Sequence, residues 1–155
     1  MERIPDHSRR RIKILLVEDD PAVREATAEL LRRAGYTVRT RADGESARKA
    51  VLKNKFNLVL CDYELPGLNG LEFAAHLRSV APETPLVMVS GVAPVEATLA
   101  AVSSGVAGFL SKPYETGNLL WMIERALRSG TERLIPAPPA PPPTEDGRNF
   151  PAEPA

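Results

Sequence analysis

The most informative part of the sequence is Leu58-Val59-Leu60-Cys61-Asp62, which is followed by Tyr63-Glu64-Leu65-Pro66-Gly67-Leu68-Asn69-Gly70. Four consecutive apolar residues are typical of a strand that is buried on both faces, as in the middle of a parallel sheet. The run ends at an aspartate, Asp62, and the residues from Asn69 to Leu77 are predicted to be helical. A buried strand, an acidic residue at its end and a following helix form one unit of an α/β sheet.

The same unit occurs on both sides of this stretch. Short apolar runs predict five strands, at residues 12–17, 36–40, 58–61, 86–89 and 108–110. Helical spacing and capping residues predict helices from Pro21 to a stop at Gly35, after Asp43, and at residues 69–77, 95–102 and 116–128. Five strands that alternate with five helices predict an α/β fold, a doubly wound five-stranded parallel sheet covered on both faces.

Proline separates a folded unit from a tail. Eight of the 15 prolines lie between Pro136 and Ala155, where they exclude a helix or a central strand. We therefore expect residues 12–130 to fold as one domain and residues 131–155 to be a disordered, proline-rich tail. Residues 1–11 are expected to be a disordered basic leader.

Composition excludes several classes of protein. The 20 basic and 20 acidic side chains balance, so bulk charge does not favour nucleic acid or an anionic membrane. A single cysteine rules out an internal disulfide, and together with two histidines it cannot build a zinc site. Without an apolar segment typical of a membrane span or a secretory signal, the chain is expected to have no membrane association and to be cytoplasmic.

Polar side chains follow four of the predicted strands. Glu18 and Asp19 come after the first strand, Asp62 ends the third, Ser90 ends the fourth and Lys112 follows the fifth. Because ligands of such sheets bind at the carboxyl ends of the strands, we expect these residues to share one site. Crowded carboxylates have raised pKa values and favour an oxygen-ligated cation, Mg²⁺ or Mn²⁺. A carboxylate beside that cation can attack a phosphoryl group, whose charge a lysine and a hydroxyl would stabilise.

At this point four motifs together resemble the receiver domain of two-component response regulators, a flavodoxin-like, CheY-like fold. The resemblance covers almost the whole folded unit. It rests on Leu15-Leu16-Val17-Glu18-Asp19-Asp20, on the stretch 58–70 quoted above, on Val87-Met88-Val89-Ser90-Gly91 and on Phe109-Leu110-Ser111-Lys112-Pro113.

The resemblance implies a role for each acidic residue. Asp62 would be the phosphoacceptor and a metal ligand, and Asp19 would bind Mg²⁺ (or Mn²⁺) directly. Glu18 would hold the ion through water. Glu64 would offer its backbone carbonyl to the metal, while its side chain occupies a position that varies in the family and influences dephosphorylation.

The resemblance also implies a switch. Ser90 matches the switch hydroxyl, Phe109 the rotating aromatic ring, and Lys112 the phosphate-binding lysine before a cis Pro113. Serine and phenylalanine replace threonine and tyrosine in some family members, and Phe109 lacks a hydroxyl with which to signal.

As a whole, the resemblance implies a single-domain response regulator rather than an enzyme. It would take a phosphoryl group from a sensor histidine kinase or a phosphotransfer protein, with self-catalysed phosphorylation and dephosphorylation. Output would reach a downstream protein, or a second copy of the chain, through the face formed by the fourth helix, the fifth strand and the last helix. Only 26 residues follow Ser129, so no DNA-binding output domain is expected in this chain.

Two other functions compete with this interpretation. A pseudo-receiver would use the same fold for protein contact without phosphorylation. Its usual mark is the loss of the acceptor, an acid or the lysine, and this sequence retains all of them. A phosphohydrolase of the haloacid dehalogenase type would also form an aspartyl phosphate, and Glu64 stands where its general acid is needed. Its nucleophile, however, follows the first strand, whereas Asp62 follows the third.

Several residues near the motifs have simpler structural explanations. Asp20 is expected to cap a helix and not to bind metal, and Cys61 to be a buried apolar residue and not a redox thiol. His76 is expected on the surface of its helix. Trp121 falls opposite the apolar face of the last helix, beside Arg125 and Arg128, where it is either an interface residue or an isolated exposed aromatic.

Overall fold

In a computed structural model, the part of the chain that is described comprises residues 11–91, 100–101, 103 and 105–129. Its strands are β1 (Lys13–Val17), β2 (Thr37–Arg41), β3 (Leu58–Asp62), β4 (Leu86–Ser90) and β5 (Gly108–Ser111). Its helices are α1 (Pro21–Arg33), α2 (Gly44–Lys53), α3 (Gly70–Val80) and α4 (Thr116–Ser129). The tail lies outside the described residues, as do all of the leader but Arg11 and most of the helix predicted at 95–102, of which Ala100 and Ala101 are helical.

The five strands form one parallel sheet in the order β2-β1-β3-β4-β5. The chain winds outward from β1 to one edge and then from β3 to the other, so the strand order reverses between β1 and β3. The α/β fold class and the doubly wound parallel sheet that the sequence predicts are confirmed. A crevice at such a reversal is where open α/β sheets bind ligands.

The sheet is covered on both faces by apolar residues. Leu15 and Val17 of β1 point to the face that packs against α2 and α3, where Phe73 is fully buried. Ile14 and Leu16 point to the opposite face, which packs against α1 and α4. Every residue of β3 and β4 is buried, as expected for the centre of a sheet that helices cover on both sides.

Three helices begin at side chains that cap them. The carboxylate of Asp20 accepts hydrogen bonds from the amides of Ala22 and Val23 at the start of α1, which confirms its predicted capping role. Asp43 caps α2 and Asn69 caps α3 in the same way. The caps stop the chain from staying extended after β1, β2 and the loop behind β3, and so bring each strand end close to a helix start.

His76, which the sequence predicts at the surface of its helix, is only partly exposed. Its Nε2 atom is buried and has no hydrogen-bond partner among the described residues, although an imidazole on an open helix face would be solvated. Burial, and then the charge of Arg48 on α2, lower the pKa of His76 below its usual value. The helix pattern alone did not show that α2 packs against this side of α3.

Within the described part of the chain, no helix has the length and apolar character needed to cross a membrane.

Gly70 lets α3 start directly against the end of β3. A Cβ built on Gly70 would lie 2.8 Å from the carbonyl oxygen of Asp62 and 2.8 Å from the Cα of Tyr63. Both are backbone atoms, so no side chain can move aside to make room. The loop after β3 is also closed by a 3.0 Å hydrogen bond from the Gly70 amide to the Tyr63 carbonyl.

Gly70→Ala should therefore lower the free energy of unfolding by about 1–3 kcal/mol, because the strand end or the helix must shift. The matched control is Gly117→Ala in the first turn of α4, where a new Cβ meets nothing within 4 Å. That change should leave stability unchanged or raise it by up to about 1 kcal/mol, as alanine favours helix. Urea denaturation of both variants measures the difference, and equal stabilities would contradict the close approach at Gly70.

Candidate functional site

Strand register brings the predicted polar residues to one edge of the sheet. Val17 pairs with Cys61, so the residues after each, Glu18 and Asp62, leave β1 and β3 side by side. Ser90 ends β4 beside Asp62, and Lys112 directly follows β5. We call Glu18, Asp19, Asp62, Ser90 and Lys112 the rim site.

Asp62 is the buried centre of the rim site. One carboxylate oxygen, Oδ1, accepts a 2.8 Å hydrogen bond from the amide of Glu64. The other, Oδ2, lies 2.7 Å from the ammonium group of Lys112. The strand end is fixed by a 2.8 Å bond from the Tyr63 amide to the Val89 carbonyl. Asp62 is therefore an oriented carboxylate in direct contact with the ammonium group of Lys112.

Lys112 bridges two carboxylates. Besides contacting Asp62, its Nζ donates to Oε2 of Glu18 at 3.0 Å. The backbone amide of Lys112 donates to the Ser90 carbonyl at 2.8 Å, and the following peptide bond, to Pro113, is cis, as the resemblance implied. Burial acts to lower the pKa of Lys112, but the hydrogen bonds and charges of Asp62 and Glu18 outweigh it and raise the pKa above its usual value.

Glu18 is a buried acid held from two sides. Its Oε1 accepts from the Asp20 amide at 3.3 Å, and its Oε2 accepts from Lys112. Burial is the main cause that raises the pKa of Glu18 to about 7, and Asp62 adds to it while Lys112 opposes it. The raised carboxyl pKa expected from crowding is thus present at Glu18, although desolvation contributes more than repulsion does.

The carboxylates of Glu18, Asp19 and Asp62 converge closely enough to hold a metal ion. One oxygen from each lies within 4.8 Å of the others, with Asp19 exposed at the mouth and the other two buried. Three carboxylates without a nitrogen or sulfur ligand form a hard donor set, which suits Mg²⁺ or Mn²⁺ and not zinc. The residues present therefore fit the cation that the sequence predicts.

Ser90 and Glu64 make a contact that the sequence does not indicate. Ser90 is fully buried, and its hydroxyl donates to Oε1 of Glu64 at 3.2 Å. The resemblance implied a metal contact from the backbone carbonyl of Glu64 and an influence of its side chain on dephosphorylation, but no bond between that side chain and Ser90. The side chain comes from an exposed residue of the loop after β3, and its approach to Ser90 depends on how that loop folds back over β4.

Arg24 is a residue near the site that sequence reasoning missed. From the first turns of α1, its guanidinium group donates to the carbonyl oxygen of Glu18 at 3.0 Å and to that of Asp19 at 3.4 Å. These bonds hold the acidic loop against the helix. The available signal was a basic residue in the α1 segment, six positions after Glu18 and five after Asp19.

Two predicted residues lie away from the carboxylates. Phe109 is on β5, paired with Met88, and is partly buried against the face of the sheet that carries α2 and α3. Trp121 on α4 is 39% exposed, and the guanidinium carbon of Arg125 lies 5.4 Å from its ring centroid. Cys61 is buried as expected, and burial raises the pKa of its thiol, so it is not a reactive thiolate.

A doubly wound parallel sheet with a carboxylate cluster, a lysine and a serine at its strand reversal defines a class of α/β domain suited to phosphoryl and metal chemistry. Comparison with known proteins makes the assignment specific. Residues 14–124 match the family model described as the response regulator receiver domain. The chain therefore belongs to the response regulator receiver domain family.

Relatives and solved structures agree with this assignment. The chain is 35% identical over 118 residues to the nitrogen assimilation regulatory protein NtrX of Azorhizobium caulinodans, covering 75% of this chain and 26% of NtrX. It is 34% identical over 128 residues to the transcriptional regulatory protein TcrA of Mycobacterium tuberculosis, covering 83% of this chain and 49% of TcrA. A CheY-like receiver domain from Methanospirillum hungatei superposes with a TM-score of 0.75 at 28% identity, covering 79% of this chain and 98% of that one.

The chain spans half or less of the length of these two curated relatives. The expectation of a single-domain regulator without a DNA-binding segment therefore stays a prediction.

The raised pKa of Glu18 predicts how stability depends on pH. Folded Glu18 keeps its proton up to about pH 7, whereas an unfolded glutamate releases it near the ordinary value of 4.5. The folded state thus binds more protons in this range, so the contribution of Glu18 to stability falls as pH rises from 4.5 through 7. In EDTA, the melting temperature of the wild type relative to Glu18→Gln should drop by a few degrees between pH 5 and pH 8.

The comparison with Glu18→Gln cancels any contribution of His76, because His76 is the same in both proteins. A wild-type to variant difference that stays constant from pH 5 to pH 8 would contradict the raised pKa of Glu18.

Proposed function

We propose that this chain accepts a phosphoryl group on Asp62 from a phosphohistidine of a sensor histidine kinase or a phosphotransfer protein. The observation that carries the proposal is the environment of Asp62: a buried, oriented carboxylate that contacts Lys112 at 2.7 Å and lies within 4.8 Å of the other acidic oxygens. Family membership supports the same chemistry. In the proposed reaction a carboxylate oxygen of Asp62 forms a bond to phosphorus while the phosphorus–nitrogen bond to the donor imidazole breaks.

Each residue of the rim site has a part in this proposal. Glu18, Asp19 and Asp62 would hold Mg²⁺ (or Mn²⁺), with the Glu64 carbonyl as a further ligand. When bound, the ion would offset the negative charge of the carboxylates and of the incoming phosphoryl group. Lys112 would transfer its hydrogen bonds from the carboxylates to a phosphoryl oxygen.

The proposed output is a change in protein contacts. Ser90 would turn its hydroxyl toward the phosphoryl group, and the Phe109 ring would move into the space that this vacates. Trp121 and Arg125 on α4 would then present an altered surface to a downstream protein or to a second copy. The chain would act in the cytoplasm as a signalling domain that catalyses its own phosphorylation and dephosphorylation, and not as an enzyme with an external substrate.

Phosphorylation should depend on Asp62. Acetyl phosphate with Mg²⁺ should add one phosphoryl group to the wild type and none to Asp62→Asn, because the amide is not a nucleophile. Asp20→Asn is the matched control, since it removes a neighbouring carboxylate while asparagine still caps α1. Intact-mass spectrometry measures the product, and labelling of Asp62→Asn to the wild-type extent would refute the assignment.

Metal binding should depend on Asp19. An ion that binds only the folded state stabilises it by about 2.7 kcal/mol at 100 times its dissociation constant, a melting shift of about 10 °C for a domain of this size. Asp19→Asn should raise the melting temperature without metal slightly, since it removes one crowded charge, and should lose most of the Mg²⁺ shift. Thermal melts with and without Mg²⁺ at pH 7.5 test this, again with Asp20→Asn as control. A full shift in Asp19→Asn would exclude Asp19 as a ligand.

A further inference from the structure

Glu64 touches both of the residues that the proposed function assigns to acceptance and switching. Its backbone amide donates to Oδ1 of Asp62 at 2.8 Å, and its carboxylate accepts the Ser90 hydroxyl at 3.2 Å. The two contacts come from one residue, two positions after the phosphoacceptor. Glu64 thus links the carboxylate that would be modified to the hydroxyl that would respond.

A serine hydroxyl has a single proton to donate. In this structure the Ser90 proton is directed to Glu64, whereas in the phosphorylated protein it would be needed by a phosphoryl oxygen on Asp62. The two acceptors therefore compete, and Ser90 must leave Glu64 in order to act as a switch.

We propose that the Glu64 carboxylate is a latch that holds Ser90 in the resting state. This inference rests on the proposed function, because it assigns to Glu64 the regulation of the same site. Glu64 is a positioning residue that acts through Ser90. It sets the free-energy cost of releasing the Ser90 hydroxyl, and this cost lowers the affinity for a phosphoryl group.

The different burial of Ser90 and Glu64 favours transfer of the Ser90 hydroxyl's hydrogen bond to a phosphoryl group. Ser90 is fully buried, so its hydroxyl loses free energy if it has no acceptor inside the site. Glu64 is exposed, so its carboxylate is solvated at little cost once the serine turns away. A phosphoryl group would also repel the nearby carboxylate. Arrival of the new acceptor and departure of the old one are therefore coupled.

The affinity for beryllofluoride, a phosphoryl analogue, tests the latch in excess Mg²⁺. Glu64→Ala should tighten binding by about three- to tenfold, since the hydroxyl no longer has to be released from a charged acceptor. Glu64→Gln should give a smaller gain, because its amide oxygen still accepts from Ser90 without carrying a charge. Glu83→Ala, which removes an exposed acid in the turn before β4 at the far end of the sheet, should leave the affinity unchanged.

The Ser90→Ala background separates the latch from simple charge repulsion. If Glu64 acts through the hydroxyl, Glu64→Ala should have no further effect once Ser90 is alanine. Equal tightening in both backgrounds, or equal gains from Glu64→Ala and Glu64→Gln, would overturn the latch in favour of repulsion. No tightening in Glu64→Ala would overturn it as well. Calorimetric titration of the full chain supplies each dissociation constant.

A second measurement stands even if the proposed function fails. Failure of phosphoacceptance would appear as wild-type protein that does not bind beryllofluoride or as Asp62→Asn that binds it equally well. The free energy of unfolding in EDTA can still be measured for the wild type, Glu64→Ala, Ser90→Ala and the double variant. Together these values give the coupling energy of Glu64 and Ser90 in the resting state. The latch predicts that the single variants are not additive, and additivity would overturn it.

Discussion

The contact of Lys112 with Asp62 and Glu18 is the interaction on which the rim site depends. Two buried carboxylates at the ends of neighbouring strands repel each other and lose solvation, and a single ammonium group between them offsets part of both penalties. Fold and site are joined here, because Lys112 follows β5, Glu18 follows β1 and Asp62 ends β3. A sheet assembled in another strand order would not bring these three side chains together.

The parallel sheet supplies this arrangement through its register. Because neighbouring strands end level with one another, residues one or two positions past each strand lie within hydrogen-bonding reach across the sheet. The capped helix starts and the glycine at the start of α3 then keep each loop short and close to its strand. Packing on the two faces makes the frame rigid, so the polar groups at its edge are held in place by apolar contacts far from them.

Much of this could be predicted from the sequence, since strand signals and strand ends are local. The buried runs, the Asp20 cap and the convergence of Asp62 with Lys112 follow from periodicity and from the geometry of parallel sheets. Contacts made by flexible side chains across loops could not be predicted in the same way. The Glu64 bond to Ser90, the Arg24 bonds to the acidic loop and the buried Nε2 atom of His76 depend on loop and helix placement, for which no short pattern exists.

In the resting site, the side-chain donors bond to the carboxylates of the site itself. Lys112 donates to Asp62 and Glu18, the Glu64 amide donates to Asp62, and the Ser90 hydroxyl donates to the Glu64 side chain. Every acceptor in this set is a carboxylate of the protein, and under the proposed function a phosphoryl group would compete with these carboxylates for the donors. Binding of the phosphoryl group then exchanges one set of hydrogen bonds for another and does not simply add contacts. The net free energy of binding is therefore a difference between two hydrogen-bonded states. Such a difference is small and is readily altered by one acceptor, which is why an exposed residue such as Glu64 can set the balance of a buried switch.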